Sequence, residues 1–183
     1  MTIKLLILKR DGVINHSAGE TIKSAEQWQA IPGSIEALAQ LHKAGFTLVV
    51  ATNQPGIAEG DFDLDELEAI HAKLSTLVEE AGGAISAIFY CPHGPEDRCN
   101  CRLPKAGLID AIEAEFDISA QGVPFIGNHI NDVLAGETKA CRNITLKSHA
   151  DEVTLSALEV DPDKSQIFDN LTAAAEHLVA ELT

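Results

Sequence analysis

Short apolar runs alternate with amphipathic segments along nearly all of this 183-residue chain, and this alternation constrains the fold more than any other feature. An apolar run of about four to eight residues is typical of a buried strand, and apolar residues three or four apart are typical of a helix. Alternating strands and helices favour a mostly parallel sheet covered on both faces, which predicts a doubly wound, Rossmann-like α/β fold. Strands are predicted at 3–8, 46–51, 85–90, 123–126 and 143–146, and helices at about 34–44, 63–80, 105–115, 130–140 and 170–182.

The chain length suits one well-cored α/β domain, so residues 1–183 are expected to form a single domain. The formal net charge of −15 disfavours nucleic acids and anionic membrane surfaces as partners, since both attract cationic proteins. An anionic small ligand stays compatible, because the local charge of a site can oppose the net charge. Residues 149–166 are acidic and are expected to be irregular. The sequence shows neither a signal peptide pattern nor an apolar run of about 20 residues, so a cytoplasmic location is expected.

Polar residues follow three of the predicted strands at the points where the strands end. Lys9, Arg10 and Asp11 follow the first strand, and Gly12 allows the chain to turn sharply. Ligands of open α/β sheets bind at the carboxyl ends of the strands, where these loops approach one another. The sequence therefore predicts a site for phosphate at this edge, with further polar groups from the loops after the second and fourth strands. These groups are Thr52, Asn53, Gln54 and Asn128.

Three of the four cysteines lie close together, between positions 91 and 101. Cys91 and His93 form a Cys-x-His pair, and Cys99 and Cys101 form a Cys-x-Cys pair. Three thiolates and one imidazole are a standard tetrahedral zinc set, so the loop 91–101 is predicted to hold a structural zinc ion. The alternative is a group of unligated thiols, which would be prone to oxidation. Cys141 stands apart and is interpreted as a small buried hydrophobe.

The segment Lys9-Arg10-Asp11-Gly12-Val13-Ile14-Asn15 resembles the first motif of the haloacid dehalogenase superfamily. The superfamily members that remove a phosphate from heptose bisphosphate carry Asp-Arg-Asp-Gly at this place, followed by Thr or Val, Ile and Asn. The resemblance covers nearly the whole chain and implies the fold of that superfamily with a minimal cap. The other parts of the chain that match the family are Gly19, Pro32-Gly33, residues 52–60, the cysteine loop and residues 127–132.

The resemblance also implies roles for single positions. In the family, the first aspartate of the Asp-Arg-Asp-Gly motif attacks phosphorus and binds Mg²⁺, and the second aspartate is the general acid and base. A lysine that follows Cys-x-Cys-Arg stabilises the phosphoryl group. An aspartate that follows the glycine of the fourth motif completes the metal site. This chain keeps the acid–base position as Asp11 but has Lys9, Leu103 and Asn128 at the other three. Arg102 matches the substrate-recognition arginine. The residues expected to bind the substrate or its phosphate are Lys9, Asn15, Gly19, Thr52, Asn53, Gln54, Arg102, Lys105 and Asn128.

These differences have chemical consequences. A lysine is protonated at neutral pH and has no lone pair with which to attack phosphorus. Mg²⁺ prefers hard oxygen ligands, so Lys9 and Asn128 make a magnesium site doubtful. In the family, the two carboxylates, the Mg²⁺ ion and the lysine of the site have a summed formal charge of +1. In this chain Lys9 alone gives the corresponding positions the same formal charge of +1. The hypothesis is that Lys9 replaces the excess charge of the metal, so that phosphate or a sugar phosphate still binds.

Three functions are compatible with this sequence. The first is a catalytically impaired phosphatase homologue, a pseudoenzyme, that binds a phosphorylated sugar or a partner protein. The second is an active, metal-independent sugar-phosphate phosphatase with Asp11 as base and Lys9 as electrophile. The third is a structural or regulatory protein without a small ligand. Ligand titration separates the first from the third, and phosphate release separates the second from both. Of the histidines, His71 is expected at a helix surface and His129 beside the site.

Overall fold

The computed structural model describes residues 3–17 and 19–183. Within them, strands and helices alternate as the sequence predicts, and the doubly wound α/β fold class is confirmed. The strands are β1 (Lys4–Leu8), β2 (Phe46–Asn53), β3 (Ile85–Cys91), β4 (Pro124–Gly127), β5 (Arg142–Leu146) and β6 (Gln166–Phe168). The helices are α1 (Ser34–Lys43), α2 (Gly56–Glu59), α3 (Leu64–Glu80), α4 (Gly107–Phe116), α5 (Ile130–Thr138), α6 (Glu152–Val160) and α7 (Leu171–Ala180).

The described strands form one parallel sheet in the order β3-β2-β1-β4-β5-β6. The chain winds outward from β1 to β3 and then returns to start β4 on the other side of β1. The switch point of the fold therefore lies between β1 and β4, where ligands of such sheets bind. Leu8 at the end of β1 lies level with Val50 and Ile126. The loops after β1, β2 and β4 consequently start close together.

The alternating side chains of β1 point into two separate cores. Leu6 and Leu8 pack in one core with Trp28 and with helices α1, α3 and α7. Leu5 and Ile7 pack in the other with residues of α4 and α5. Successive side chains of a strand point to opposite faces of a sheet. Burial on both faces fixes β1 at the centre of the molecule and holds the residues that follow it.

The predicted irregular structure of residues 149–166 is wrong. This stretch contains α6, and its end begins β6. Asp151 caps α6 by accepting a hydrogen bond from the backbone N–H of Thr154 at 2.7 Å. Thr154 and Leu158 are buried while the acidic residues lie on the exposed side, so a high density of acidic residues hid an amphipathic helix. The short helix α2 was also not predicted.

Among the described residues, no helix is long and apolar enough to span a membrane.

We expect Gly136→Ala to destabilise the protein by about 2 kcal/mol. A Cβ on Gly136 in α5 would overlap Oδ1 of Asn143 on β5, and Asn143 is held because its Nδ2 donates to the carbonyl of Val133 at 3.0 Å. Urea unfolding should show that the sign reverses in an Asn143→Ala background. There the alanine meets no obstacle, and its better helix propensity stabilises by up to about 1 kcal/mol. Equal effects in both backgrounds would contradict this packing.

Candidate ligand site at the strand ends

The loop after β1 folds back on itself and lies against the loop after β4. The backbone N–H of Ile14 donates to the carbonyl of Arg10 at 2.8 Å, and that of Gly12 donates to the carbonyl of Asn15 at 2.8 Å. Gly12 has a φ of 76°, and a Cβ at this position would overlap the side chain of Asn128. Glycine thus serves two needs here, a left-handed turn and a close approach between the two loops.

The carboxylate of Asp11 is held on both oxygens. Its Oδ1 accepts from the Arg10 guanidinium at 2.8 and 2.9 Å and from Asn15 Nδ2 at 3.0 Å. Its Oδ2 accepts from Gln54 Nε2 at 3.1 Å, and the same amide also donates to Thr52 Oγ1 at 2.9 Å. Side chains from the loops after β1 and β2 therefore form one network around Asp11.

Arg10 is fully buried, and a buried guanidinium needs partners for its charge and its donors. Asp11 supplies the charge, and His71 of α3 lies with its Nε2 3.1 Å from Arg10 Nη1. Burial, followed by the Arg10 charge, lowers the pKa of His71 to about 4, against the opposing influence of Asp11. His71 is thus neutral and can accept the hydrogen bond of Arg10. The expectation that His71 lies at the surface is wrong, although its spacing from Leu67 and Leu74 places it beside the buried stripe of α3.

Lys9 extends from the end of β1 to the first turn of α5. Its Nζ lies 3.3 Å from Oδ2 of Asp132, and the two side chains are 18% and 3% exposed. The same Oδ2 accepts from the backbone N–H groups of Asn128 and His129, both at 3.0 Å. One buried carboxylate oxygen therefore closes the end of α5 and holds the ammonium of Lys9. The sequence leaves open whether Lys9 points into the site, and the structure places its ammonium between the loops after β1 and β4.

Asn128 connects the site to the segment that follows β5. Its Nδ2 donates to the carbonyl of His149 at 2.8 Å. Its Oδ1 and the Oδ1 of Asp132 are buried, and neither has a hydrogen-bond partner among the described residues. The ring of His149 lies 5.7 Å from the ring of His16, so the segments after β1 and β5 also meet. His129 lies beside the site as expected, with Nε2 3.2 Å from Asp151.

Leu103 is integrated into the fold rather than exposed to a ligand. Its side chain is 1% exposed and belongs to the core that contains Leu5 and Ile7. The amide of Asn53 holds its backbone, since Oδ1 accepts from the N–H of Leu103 at 3.0 Å and Nδ2 donates to its carbonyl at 3.3 Å. Asn53 thus binds the chain itself and fixes the position of the segment that follows the cysteine loop.

The four predicted zinc ligands converge. The ligand atoms of Cys91, His93, Cys99 and Cys101 all lie within 4.8 Å of one another. The Sγ atoms of Cys91 and Cys99 are 3.7 Å apart, close to the edge of about 3.8 Å that zinc–sulfur bonds of about 2.3 Å give in a tetrahedron. Burial raises the pKa of Cys91. Burial also acts to raise the pKa of Cys99, but hydrogen bonds from the backbone N–H of Arg102 and from the thiols of Cys91 and Cys101 together outweigh it and lower that pKa to about 7. The cluster can hold a metal ion, and its donor set fits zinc.

A cavity of about 340 Å³ lies between the cysteine loop and the first turn of α5. Arg102 and Lys105 line it, together with Arg98, Leu103 and Asn131. Arg102 is anchored weakly by the carbonyl of His93 at 3.5 Å, and Lys105 Nζ donates to the carbonyl of Cys99 at 2.5 Å. The two predicted cations therefore lie beside the strand ends, against the cysteine loop.

The predicted site residues outside the cysteine cluster fall into four groups. Those brought together around β1 are Lys9, Asp11, Asn15, Thr52, Gln54 and Asn128. Arg102 and Lys105 line the neighbouring cavity, and Asn53 supports Leu103. Gly19 lies in an exposed turn with a φ of 78°.

Comparison with known proteins places this geometry in a family. A family model described as polynucleotide kinase 3 phosphatase matches residues 10–155. A D-glycero-beta-D-manno-heptose-1,7-bisphosphate 7-phosphatase from Pseudomonas putida is 46% identical over 177 residues, which is 97% of this chain and all of that protein. The corresponding protein of Pseudomonas aeruginosa is 45% identical over 98% of this chain and 99% of its own length.

Solved structures agree with these relatives. The D,D-heptose 1,7-bisphosphate phosphatase of B. bronchiseptica, complexed with magnesium and phosphate, superimposes with a TM-score of 0.92 at 38% identity, over 98% of this chain and 99% of that one. That of Burkholderia thailandensis gives 0.73 at 33% identity, over 97% and 99%. The chain therefore belongs to the haloacid dehalogenase superfamily of phosphatases and, within it, to the heptose bisphosphate phosphatase family.

Magnesium, which the family implies, does not fit the donor atoms of this chain. Lys9 presents an ammonium, and Asp132 Oδ2 already accepts from it and from two backbone N–H groups. Both oxygens of Asp11 are engaged by neighbouring donors. Among the described residues of the site, the buried side-chain oxygens without partners are the neutral amide oxygens of Asn15 and Asn128 and the remaining Oδ1 of Asp132. A cation beside a lysine ammonium and with so few free oxygens lacks the octahedral ligand set that Mg²⁺ requires.

We expect the pH dependence of stability to report the partly buried His71. Its pKa falls from 6.5 in the unfolded chain to about 4 in the folded one, so between these values the unfolded state binds a proton that the folded state does not. Stability is therefore lost as the pH falls through this window and is unaffected by this group above it. Relative to His71→Gln, which can still accept from Arg10, the natural protein should lose about 2 kcal/mol between pH 7.5 and pH 5. Parallel urea-unfolding profiles of the two proteins would contradict a neutral, partly buried His71.

Proposed function

We propose that this chain binds a phosphorylated sugar of the heptose bisphosphate class and does not transfer its phosphoryl group. Its similarity to heptose bisphosphate phosphatases over nearly the whole chain supports the ligand class. One observation carries the loss of transfer: the position of the attacking aspartate holds Lys9, whose Nζ is ion-paired with buried Asp132 at 3.3 Å. An ammonium held by a carboxylate has no electron pair to form a bond to phosphorus.

Lys9 supports anion binding for the same reason that it opposes catalysis. An ammonium has three donor hydrogens, and Asp132 takes one of them. The others are available to a phosphate oxygen at the carboxyl ends of β1 and β4, since Lys9 is partly exposed. A fixed ammonium is a point charge that binds phosphate well. In this proposal Lys9 supplies the positive charge that a metal ion would otherwise bring.

Each of the three altered positions makes contacts that suit its present residue. Leu103 fills a core, Lys9 pairs with Asp132, and the amide of Asn128 donates to the carbonyl of His149. A carboxylate in place of that amide would turn an attractive contact into a repulsive one. Oδ1 of Asn128 is buried without a partner among the described residues, so this position keeps an acceptor for a donor group of a ligand. The contacts favour a site that serves binding over one that has merely decayed.

The second candidate function, metal-independent hydrolysis, would need Asp11 to activate water. Four hydrogen bonds from Arg10, Asn15 and Gln54 occupy its oxygens. A general base must have an oxygen free to take the proton of the attacking water. Three of the four bonds go to Oδ1, and Oδ2 accepts only from Gln54, so it keeps a lone pair for such a proton. A turnover assay decides between the two candidates.

Calorimetric titration with inorganic phosphate and with heptose 1,7-bisphosphate, with and without added Mg²⁺, tests binding. We expect binding of the sugar phosphate that Mg²⁺ does not strengthen, and a loss of at least about tenfold in Lys9→Met, because a hydrogen bond to a charged group is removed. Lys4→Met, at the far end of β1, is the matched control and should bind normally. The absence of heat at millimolar ligand in the natural protein would overturn the proposal.

Phosphate release from the same sugar phosphate, measured with Mg²⁺ present, tests the absence of transfer. The natural protein should release no phosphate. The triple variant Lys9→Asp, Leu103→Lys, Asn128→Asp should release phosphate if it folds. Circular dichroism shows whether it does, since Leu103→Lys brings an ammonium to a buried position. Turnover by the natural protein that persists when EDTA replaces Mg²⁺, in a zinc-replete control, would instead establish the metal-independent reaction.

We also propose that zinc is the ion of the cysteine cluster and that it stiffens the loop in a reducing compartment such as the cytoplasm. We expect about one equivalent of zinc per chain by elemental analysis, and a fall of more than about 5 °C in the unfolding temperature when a chelator removes it. Cys99→Ser should lose the metal, while Cys141→Ser, outside the cluster, should keep it. A different stoichiometric metal, or none, would refute the assignment.

A further inference from the structure

Two histidines from distant segments meet at the edge of the strand-end site. His16 lies in the loop after β1 and His149 in the short turn after β5, and their ring centroids are 5.7 Å apart with an interplanar angle of 56°. Two imidazoles bound to one ion through bonds of about 2.1 Å hold their ring centroids about 5–6 Å apart. The separation of the two rings therefore fits a site in which both bind one metal ion.

The backbones of both histidines are held in place by the loops of the site. The N–H of His16 donates to the carbonyl of Gln29 at 3.0 Å, and its carbonyl accepts from Asn15 Nδ2 at 3.0 Å. The carbonyl of His149 accepts from Asn128 Nδ2 at 2.8 Å. Ligands that are already in position lose less conformational freedom when they bind. The two imidazoles are thus pre-organised for a common ion.

Each ring can offer a nitrogen to an ion. Nδ1 of His149 lies 2.9 Å from Oγ of Ser148, which can accept the Nδ1–H and leave Nε2 with a free lone pair, as in most metal-binding histidines. Burial, followed by the charge of His16, lowers the pKa of His149 and so favours its neutral form. His16 is exposed, and its hydrogen bonds with described residues all involve its backbone. The ring of His16 is consequently accessible to an ion from solution.

The neighbouring His129 is engaged elsewhere. Its Nδ1 accepts from the N–H of Asn131 at 3.1 Å, and its Nε2 lies 3.2 Å from Asp151. Two protein ligands leave coordination positions for water or for an oxygen of a ligand. Imidazole suits zinc, copper and nickel, whereas Mg²⁺ prefers oxygen ligands. A net charge of −15 adds a general attraction for cations.

We propose that His16 and His149 together bind a divalent transition metal ion of the zinc and nickel type, at a site separate from the cysteine cluster. The bound ion joins the loop after β1 to the segment after β5, and both of these segments border the strand-end site. The inference goes beyond the proposed function and does not depend on it, since neither histidine is needed for Lys9 to hold a phosphate.

Calorimetric titration of the zinc-loaded, untagged protein with Ni²⁺ at neutral pH tests the site. We expect the natural protein to bind about one equivalent of nickel without releasing zinc, and excess Mg²⁺ to leave this binding unchanged. His16→Gln and His149→Gln should each weaken it at least about tenfold, because each removes a ligand. His177→Gln is the matched control and should bind normally, since His177 lies beside Arg142 at the start of β5.

Two further measurements separate ligation from a structural effect of the substitutions. Bound nickel should broaden the ring-proton NMR signals of His16 and His149 in the natural protein. Nickel should also raise the unfolding temperature of the natural protein and of His177→Gln but not that of His16→Gln. Without nickel, His16→Gln should unfold at the same temperature as the natural protein, because the His16 ring is exposed.

Three outcomes would overturn the inference. They are the absence of nickel binding by the natural protein, nickel uptake matched by zinc release, and nickel binding that is unchanged in His16→Gln and His149→Gln. The last result would mean that the two rings merely pack against each other. None of the three bears on the phosphate titrations, so the proposed function is tested separately.

Discussion

One buried carboxylate oxygen connects the elements on which the site depends. Oδ2 of Asp132 accepts from the backbone N–H groups of Asn128 and His129 and lies 3.3 Å from the ammonium of Lys9. The first two contacts close the amino end of α5, and the third joins it to the end of β1. A helix end whose N–H groups are satisfied by its own side chain cannot offer them to a ligand. The positive charge for an anion must then come from side chains, and Lys9 is placed to provide it.

The replaced positions act as a set because they touch a common framework. Asn53 holds Leu103 by its backbone, Gly12 leaves room for Asn128, and Asn128 holds the segment after β5. Arg10 donates hydrogen bonds to Asp11, and His71 lies within hydrogen-bond distance of Arg10. These contacts form neighbouring groups at the carboxyl ends of the strands. The cysteine loop adds a wall on the β3 side, where Arg98, Arg102 and Lys105 line one cavity.

The sequence predicts the fold well because the pattern that specifies it is local. Alternating strands and helices, buried on both faces, leave few other arrangements, and the fold class is confirmed. The same logic fails for residues 149–166, where acidic side chains cover the exposed side of α6. At the site, the sequence predicts which loops meet but not which atoms do. The pairing of Lys9 with Asp132, the turn of Asn53 toward Leu103 and the burial of His71 depend on contacts between distant segments. The functional roles of these residues stay predictions.

The amide of Asn128 has a consequence for which side chains its position can hold. Because its Nδ2 donates to the carbonyl of His149, an aspartate at this position would face a carbonyl oxygen, and the segment after β5 would have to move to accommodate it. Leu103 presents a similar obstacle, since its side chain completes a core. The surroundings of the two positions are therefore specific to an amide and to an apolar side chain, so a carboxylate at position 128 or an ammonium at position 103 would each cost stability.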